Sequence, residues 1–116
     1  MTMNKELKTI FGEAIKVGKK SVPTAHLKYK GKETTFVVWA ITDDSPSLCA
    51  DDEPLYGICS VDVHAYGKGN ILDVITVIKK LMKENEWVWV GDSPEMYEDD
   101  TGLYHRTTSF EKERNL

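Results

Sequence analysis

The sequence lacks the features that mark several large classes of protein. Its longest apolar run, Phe36 to Ile41, is far too short to cross a bilayer. The amphipathic N-terminus has no continuous apolar segment of the signal-peptide kind, so we expect neither secretion nor a membrane partner. Only two cysteines are present, Cys49 and Cys59. Without a secretory signal they indicate reduced thiols in a cytosolic compartment.

Residue patterns that carry well-understood chemistry are also missing. There is no C-x-x-C pair, no glycine-rich phosphate loop and no nucleophile-elbow context for serine or cysteine. The segment Asp43 to Pro54 has the length of a calcium loop, but Leu48 stands where the turn needs glycine. Pro54 stands where a bidentate glutamate is needed. We therefore expect no catalytic residue, no bound metal and no cofactor.

The charges that are present are segregated along the chain. The net charge is −4, yet Lys16 to Lys32 contains six lysines and no acid. Asp43 to Glu53 and Asp92 to Asp100 each contain five acids and no base. Such a polar distribution steers partners, or copies of one protein, towards each other. The alternative is that these are solvated loops that keep a small protein soluble.

Hydrophobic periodicity predicts a single α+β domain over residues 1–116. Helical spacing of apolar residues and strand-like alternation follow each other in the order α-β-β-β-α-β-β. This order predicts an antiparallel sheet of about four to five strands with two amphipathic helices on one face. The predicted helices are Lys5 to Val17 and Ile71 to Asn85, capped by Asn4 and Asn70, with Gly18 closing the first.

The predicted strands come in three groups. Thr24 to Tyr29 and Thr34 to Thr42 form a hairpin through "KGK", and Tyr56 to Tyr66 follows the acidic loop Asp43 to Pro54. In "EWVWV", Trp87 and Trp89 share one face of a strand that "GDSP" interrupts. The last pair, Glu95 to Glu98 and Leu103 to Glu111, flanks the turn "DDTG".

His105 lies on the strand that follows this turn. The extended rise should displace it from Glu98, Asp99 and Asp100, so a hairpin with a negatively charged tip is the favoured interpretation. A carboxylate–histidine metal site is the alternative. The exposed acids could dock against a basic surface on another chain.

Two stretches resemble a known family. They are "ADDEPLYGICSVDVHAYGKGNILDVITVIKKLMKENEW", Ala50 to Trp87, and "MYEDDTGLYHRTTSFE", Met96 to Glu111. Their succession of acidic loop, alternating strand, amphipathic helix and closing hairpin is similar to the small tail-completion, or tail-terminator, proteins of long-tailed bacteriophages and prophages. The first half of the chain fits only loosely, through a helix, a "VP" and a strand ending in "VVW".

The resemblance implies a structural role rather than catalysis. Proteins of this family cap the head-proximal end of the tail tube, usually as a hexameric ring, stop its polymerisation and join tail to head. It therefore implies a homo-oligomer on the tail, with a monomer in solution as the alternative state, and the tail tube protein and a head-completion or connector protein as partners. DNA passes through the ring without specific binding. The location would be the tail–head junction of the virion, after assembly in the host cytoplasm.

Loops of family members line the ring lumen or contact neighbours, and a ring needs unlike patches on each subunit. Both acidic segments and part of the lysine-rich segment are therefore candidate contacts with subunits or partners. These residues are Asp43, Asp44, Asp51, Asp52, Glu53, Glu98, Asp99, Asp100, Lys19, Lys20 and Lys28.

Three other functions remain open. The chain could be a head-completion or connector adaptor of the same neck region. It could be a host-directed binding protein whose acidic face mimics DNA, although the six lysines oppose that. It could also be a metal-dependent enzyme that uses Asp99, Asp100 and His105.

Overall fold

The computed structural model describes residues 3–50, 53–69 and 71–115, with side chains for 5–43, 57–69 and 71–113. These residues form two helices and seven strands. In chain order they are α1 (Met3–Phe11), β1 (Ala14–Val17), β2 (Lys20–His26), β3 (Phe36–Ala50), β4 (Glu53–Gly67), α2 (Leu72–Glu84), β5 (Val88–Asp92), β6 (Met96–Glu98) and β7 (Leu103–Asn115).

All seven strands belong to one mixed, curled sheet. Its order is β1-β2-β3-β4-β7-β5, and β6 pairs with β7 beside β5. Neighbouring strands are antiparallel except β2 and β3, which are parallel. The predicted fold, an antiparallel sheet of about four to five strands, is therefore wrong in strand number and in direction. Strand is the dominant structure, at 52% of the chain against 21% helix.

The first helix is shorter than predicted and begins one residue before its predicted cap, Asn4. It ends at Phe11, and Gly12 follows with a φ of 61° while donating its N–H to the carbonyl of Lys8. Glycine adopts this left-handed conformation without a steric penalty, so it ends a helix readily. Ile15, which the predicted helix Lys5 to Val17 includes, is buried on β1, where alternation rather than helical spacing places it in the core. Gly18 forms the β1–β2 turn instead of closing the helix.

The predicted hairpin around "KGK" is wrong. β2 and β3 pair in parallel, with Thr24 opposite Val37 and His26 opposite Trp39, so residues 27–35 form a crossover. Within it the Tyr29 ring stacks on Phe36 at 4.4 Å between centroids. A Cβ at Gly31 would lie 2.1 Å from the Tyr29 hydroxyl oxygen, so the close approach of chain and ring requires glycine.

The predicted acidic loop, Asp43 to Pro54, is mostly strand. β3 runs on to Ala50 and β4 starts at Glu53, and their pairing continues to Ala50 opposite Glu53. Register shifts after Ile41 and after Pro46 absorb the residues that break the alternation. The loop-like residues of this segment therefore lie in an irregular part of a strand pair. Asp51 and Asp52 lie outside the described residues.

The core lies on one face of the sheet, beneath both helices. The alternation predicted for the strand after the acidic segment is confirmed, because Cys59, Val61, Val63 and Ala65 are completely buried. The apolar stripe predicted for the second helix is also confirmed. Its members Ile71, Val74, Ile75, Ile78 and Met82 are buried, and Leu81 packs against them. The N-cap is Ile71, without a side-chain hydrogen bond, and Asn70 lies outside the described residues.

Helix α1 covers the same face through Leu7 and Phe11, and the Phe11 ring stacks on Trp39 with 6.1 Å between centroids. A further contact fixes it laterally, because Lys112 of β7 forms an ion pair with Glu6. Both helices thus cover one face, and within the described residues no helix covers the other face of the central strands.

Candidate functional site

Basic residues gather at one outer edge of the sheet. Lys19 lies in the β1–β2 turn, Lys20 begins β2, and Lys16 lies on β1; all three side chains are exposed. We call these three residues the basic edge. Lys16, which the sequence placed in the predicted helix Lys5 to Val17, was not among the predicted contacts. Lys28, in contrast, lies in the crossover after β2 and is not part of this group.

The predicted acidic contacts separate into two groups at opposite ends of the sheet. Asp99 and Asp100 occupy the β6–β7 turn and are exposed, and Glu98 ends β6. We call these three residues the acidic turn. The hairpin itself is confirmed: Met96 lies opposite His105, Glu98 lies opposite Leu103, and Gly102 has a φ of 71°.

The other acidic group lies where β3 and β4 extend past the core. Asp43 is exposed opposite Ser60, Asp44 lies opposite Cys59, and Glu53 lies opposite Ala50. Beyond Cys59, β3 continues for residues 45–50, a projection of about 20 Å at the rise of an extended strand. β7 accompanies the projection as far as Asn115 opposite Tyr56. We call this three-stranded extension the arm.

The basic edge and the acidic turn lie at the same end of the sheet. Tyr66 lies opposite both Phe36 and His105, and His105 lies opposite Met96. On the other side of the sheet, Thr24 lies opposite Val37, so Pro23, one residue earlier, is level with Phe36. Ala14 lies opposite Pro23 and is therefore also level with Phe36. The first residues of β1 and of β6 thus stand at one level on opposite edges. Both strands then run in the same direction, towards their charged turns.

The acidic turn is connected to a pair of histidines on the open face. His105 Nδ1 lies 3.4 Å from Glu98 Oε1, and His105 Nε2 lies 3.2 Å from His64 Nδ1. His64 Nδ1 also lies 2.8 Å from the hydroxyl of Thr107, and the Tyr66 ring stacks on His105 at 4.3 Å. The prediction that His105 is displaced from all three acids is therefore wrong for Glu98. The short β6 strand folds Glu98 back onto the face that carries His105.

The surroundings shift the pKa values of His105 and Tyr66. Burial and the neighbouring His64 lower the pKa of His105, and Glu98 opposes that shift. Burial, reinforced by the Glu98 charge, raises the pKa of Tyr66. The two sides of the His105 ring face different groups, so Glu98 and His64 do not converge on one point. Among the residues that the structure describes, no group of three or more His, Cys, Asp or Glu side chains could hold a metal ion.

Asp92 connects several side chains at the edge of the sheet formed by β5. The sequence did not indicate this role. Its carboxylate accepts hydrogen bonds from Lys79 Nζ and Trp89 Nε1, both at 2.9 Å, and Arg106 Nη2 lies 3.7 Å away. Burial would raise the pKa of Asp92, but the hydrogen bond from Lys79, the Thr108 hydroxyl, the Trp89 indole and the charge of Lys79 together outweigh it and hold that pKa below its usual value. The carboxylate is therefore a charged anchor that joins β5 to α2.

Strand β5 exposes a run of large apolar side chains. Val88, Trp89 and Val90 are all more than half exposed, and they lie on an outer strand. The prediction that Trp87 and Trp89 share a face is wrong, because Trp87 is buried before the strand begins and Trp89 is solvent-exposed. Beside them lies a groove of about 350 Å³, lined by Lys79, Lys83, Trp87, Val88, Trp89 and Phe110.

No helix within the described ranges is long and apolar enough to cross a membrane. The chain matches no protein-family model and no curated protein.

Proposed function

We propose that this protein is a non-enzymatic virion assembly protein of a long-tailed bacteriophage or prophage. Copies of it form a ring that caps the head-proximal end of the tail tube, stops tube polymerisation and joins the tail to the head. Its partners are further copies of itself, the tail tube protein and a head-completion or connector protein. The resemblance of its second half to tail-terminator proteins is the starting point for this proposal.

The observation that carries the proposal is the opposition of the basic edge and the acidic turn. Lys19 and Lys20 lie at one edge of the sheet, and Asp99 and Asp100 lie at the opposite edge of the same sheet end. A heterologous contact, in which one patch meets a different patch on the next copy, generates a ring when its rotation closes. Two unlike patches at equal height are what such a ring requires, since each subunit then contacts both neighbours without a change of level.

The arm supplies a separate surface for the tail or the head. The molecule measures 52 × 26 × 23 Å, and its long shape provides distinct surfaces at its two ends. The arm points away from the end of the sheet that carries the basic edge and the acidic turn, because β3 and β4 extend in the direction opposite to the β6–β7 turn. In a ring whose axis follows the strands, the arms would project together from one rim. Acidic residues that face the lumen would repel DNA phosphates and ease passage of the genome.

Disruption of the gene in its parent phage or prophage tests the function directly. After induction, the lysate is examined by negative-stain electron microscopy, with a plasmid copy of the intact gene as the control. Filled heads beside free tails, some longer than normal, are the expected result, because an uncapped tube continues to grow. Tails of normal length beside heads that have lost their DNA would instead indicate a head-completion adaptor. Complete, infectious particles would refute an assembly role.

A further inference from the structure

β1 and β6 are the edge strands beside the basic edge and the acidic turn, and they have the geometry to join one subunit to the next. β1 contains four residues and pairs with β2, and β6 contains three residues and pairs with β7. Within the described residues, neither strand has a second strand partner. Each therefore presents one row of backbone groups that another chain can pair with.

The outward backbone groups of β1 can be assigned from its pairing with β2. The N–H of Thr24 donates to the carbonyl of Glu13 at 2.9 Å, so these residues form a hydrogen-bonded pair. Such pairs alternate along antiparallel strands, so Ile15 and Val17 also face β2. The N–H and carbonyl groups of Ala14 and Lys16 consequently point to the open edge.

β1 and β6 match in three respects: their position along the strand axis, their chain direction and the face of the sheet to which their charged side chains point. Ala14 and Met96 stand at one level, and two residues further on Lys16 and Glu98 again stand at one level. Lys16 points away from the core, because its neighbour Ile15 is buried in it. Glu98 points to the same open face, where it meets His105.

We infer that β6 of one subunit adds to β1 of the next as a parallel strand, so that a single sheet continues around the ring. This inference rests on the proposed ring and specifies how its subunits are joined. Lys19 and Lys20 of one copy then approach Asp99 and Asp100 of its neighbour, where opposite charges select the pairing of unlike edges. Like edges are rejected, because two basic or two acidic turns would repel each other.

The contact is small, since strands of three and four residues provide few backbone hydrogen bonds. Exposed ion pairs add little and are screened by salt. Subunits joined in this way stay separate at low concentration and associate when a tail end holds several of them together. Raising the salt concentration should weaken the association further.

Zero-length cross-linking with a carbodiimide tests the contact, because the reagent joins a lysine amine directly to a carboxylate. An equal mixture of ¹⁴N- and ¹⁵N-labelled protein, both concentrated in solution and assembled on isolated tails, is treated and analysed by mass spectrometry. We expect mixed-isotope peptides that link Lys19 or Lys20 to Asp99 or Asp100. Within one chain these residues are separated by about four strand spacings, roughly 19 Å along the sheet.

Charge exchange provides the second arm of the test. The variants Lys19→Glu/Lys20→Glu and Asp99→Lys/Asp100→Lys should each lower the yield of dimers, measured by sedimentation velocity without the cross-linker, about fivefold. Mixing these two variants should restore association, because the acidic edge of one then meets the basic turn of the other. The control Lys8→Glu/Lys80→Glu makes the same change of charge on exposed helical positions and should leave the yield unchanged.

The outcomes distinguish the contact from the function. Absence of mixed-isotope links in both preparations, or failure of the two variants to restore each other, refutes the edge contact even if the gene disruption leaves unjoined tails. Mixed links together with normal virions after gene disruption would support the edge contact and refute the tail function.

Discussion

Replacing Asp92 with asparagine removes one negative charge that lies among three donors. The Asp92 side chain is 11% exposed and accepts from Lys79 and Trp89 at 2.9 Å, with Arg106 at 3.7 Å. Asparagine retains one acceptor oxygen, which suffices for the Trp89 indole, but it leaves Lys79 facing an uncharged amide. A hydrogen bond to a charged group contributes about 1.5–3 kcal/mol when shielded from water. Lys79 is 36% exposed, so screening reduces the expected loss to about 1–2 kcal/mol.

The pH dependence of this loss follows from the depressed pKa of Asp92. A carboxylate whose pKa is lower in the folded state contributes stability that is fully present above its unfolded value of 3.8. That contribution is lost as the pH falls through the folded pKa. The variant Asp92→Asn lacks it at every pH. The two proteins should therefore differ most at pH 7 and converge in acid.

Urea unfolding, followed by tryptophan fluorescence and circular dichroism at pH 7, 5 and 3, measures the difference. A loss of about 1–2 kcal/mol corresponds to roughly 4–8 °C in melting temperature for a chain of this size. Asp100→Asn is the matched control, because it makes the same chemical change in the exposed β6–β7 turn. Equal stability of Asp92→Asn and the parent protein at pH 7, or a difference that persists unchanged at pH 3, would refute the reasoning.

Three further predictions follow from single positions. Gly102→Ala should destabilise the protein by about 1 kcal/mol in thermal unfolding, because Gly102 has a φ of 71°; an unchanged melting temperature would contradict this. Ile78→Ala should cost about 2–5 kcal/mol in urea, since the side chain is completely buried, whereas exposed Lys80→Ala should cost little. Burial and the neighbouring His64 lower the pKa of His105, so the stability associated with neutral His105 should be complete above pH 6.5 and decline as the pH falls towards its folded pKa. His64→Gln should raise that pKa in an NMR titration, and an unchanged value would contradict the assignment.

Elements with one consistent period could be predicted from the sequence. The stripe of α2 and the alternation of β4 each bury one face completely, so the pattern in the residues matches the pattern of burial. The β6–β7 hairpin was equally accessible, because Gly102 in "DDTG" marks the turn. The end of the first helix could not be predicted, because Ile15 fits helical spacing after Phe11 and also fits alternation on β1. Local sequence does not decide between these two periods when a glycine, Gly12, separates them.

The pairing of strands that lie far apart in the chain could not be predicted from the sequence. Nothing local to Thr24 or Val37 indicates that their strands run parallel, because "KGK" is an adequate hairpin turn by itself. The Glu98–His105 contact likewise depends on the β6–β7 register rather than on separation along the chain. The clustering of like charges along the chain can be read directly from the sequence. Their placement at opposite edges of one sheet end became apparent only from the pairings of β1, β2, β4 and β7.

The position of β7 within the sheet has a consequence for synthesis of the protein. β7 comes after β5 and β6 in the chain, yet it lies between them and β4. When β5 and β6 leave the ribosome they have no strand to pair with, and the first half of the sheet lacks the neighbour that covers β4. Translation at about 5–20 residues per second leaves this unfinished state exposed for a second or more. The acidic turn and β6 reach their final positions only when β7 inserts, so this edge of the sheet is completed last, whereas the β1 edge at the other side needs only β2.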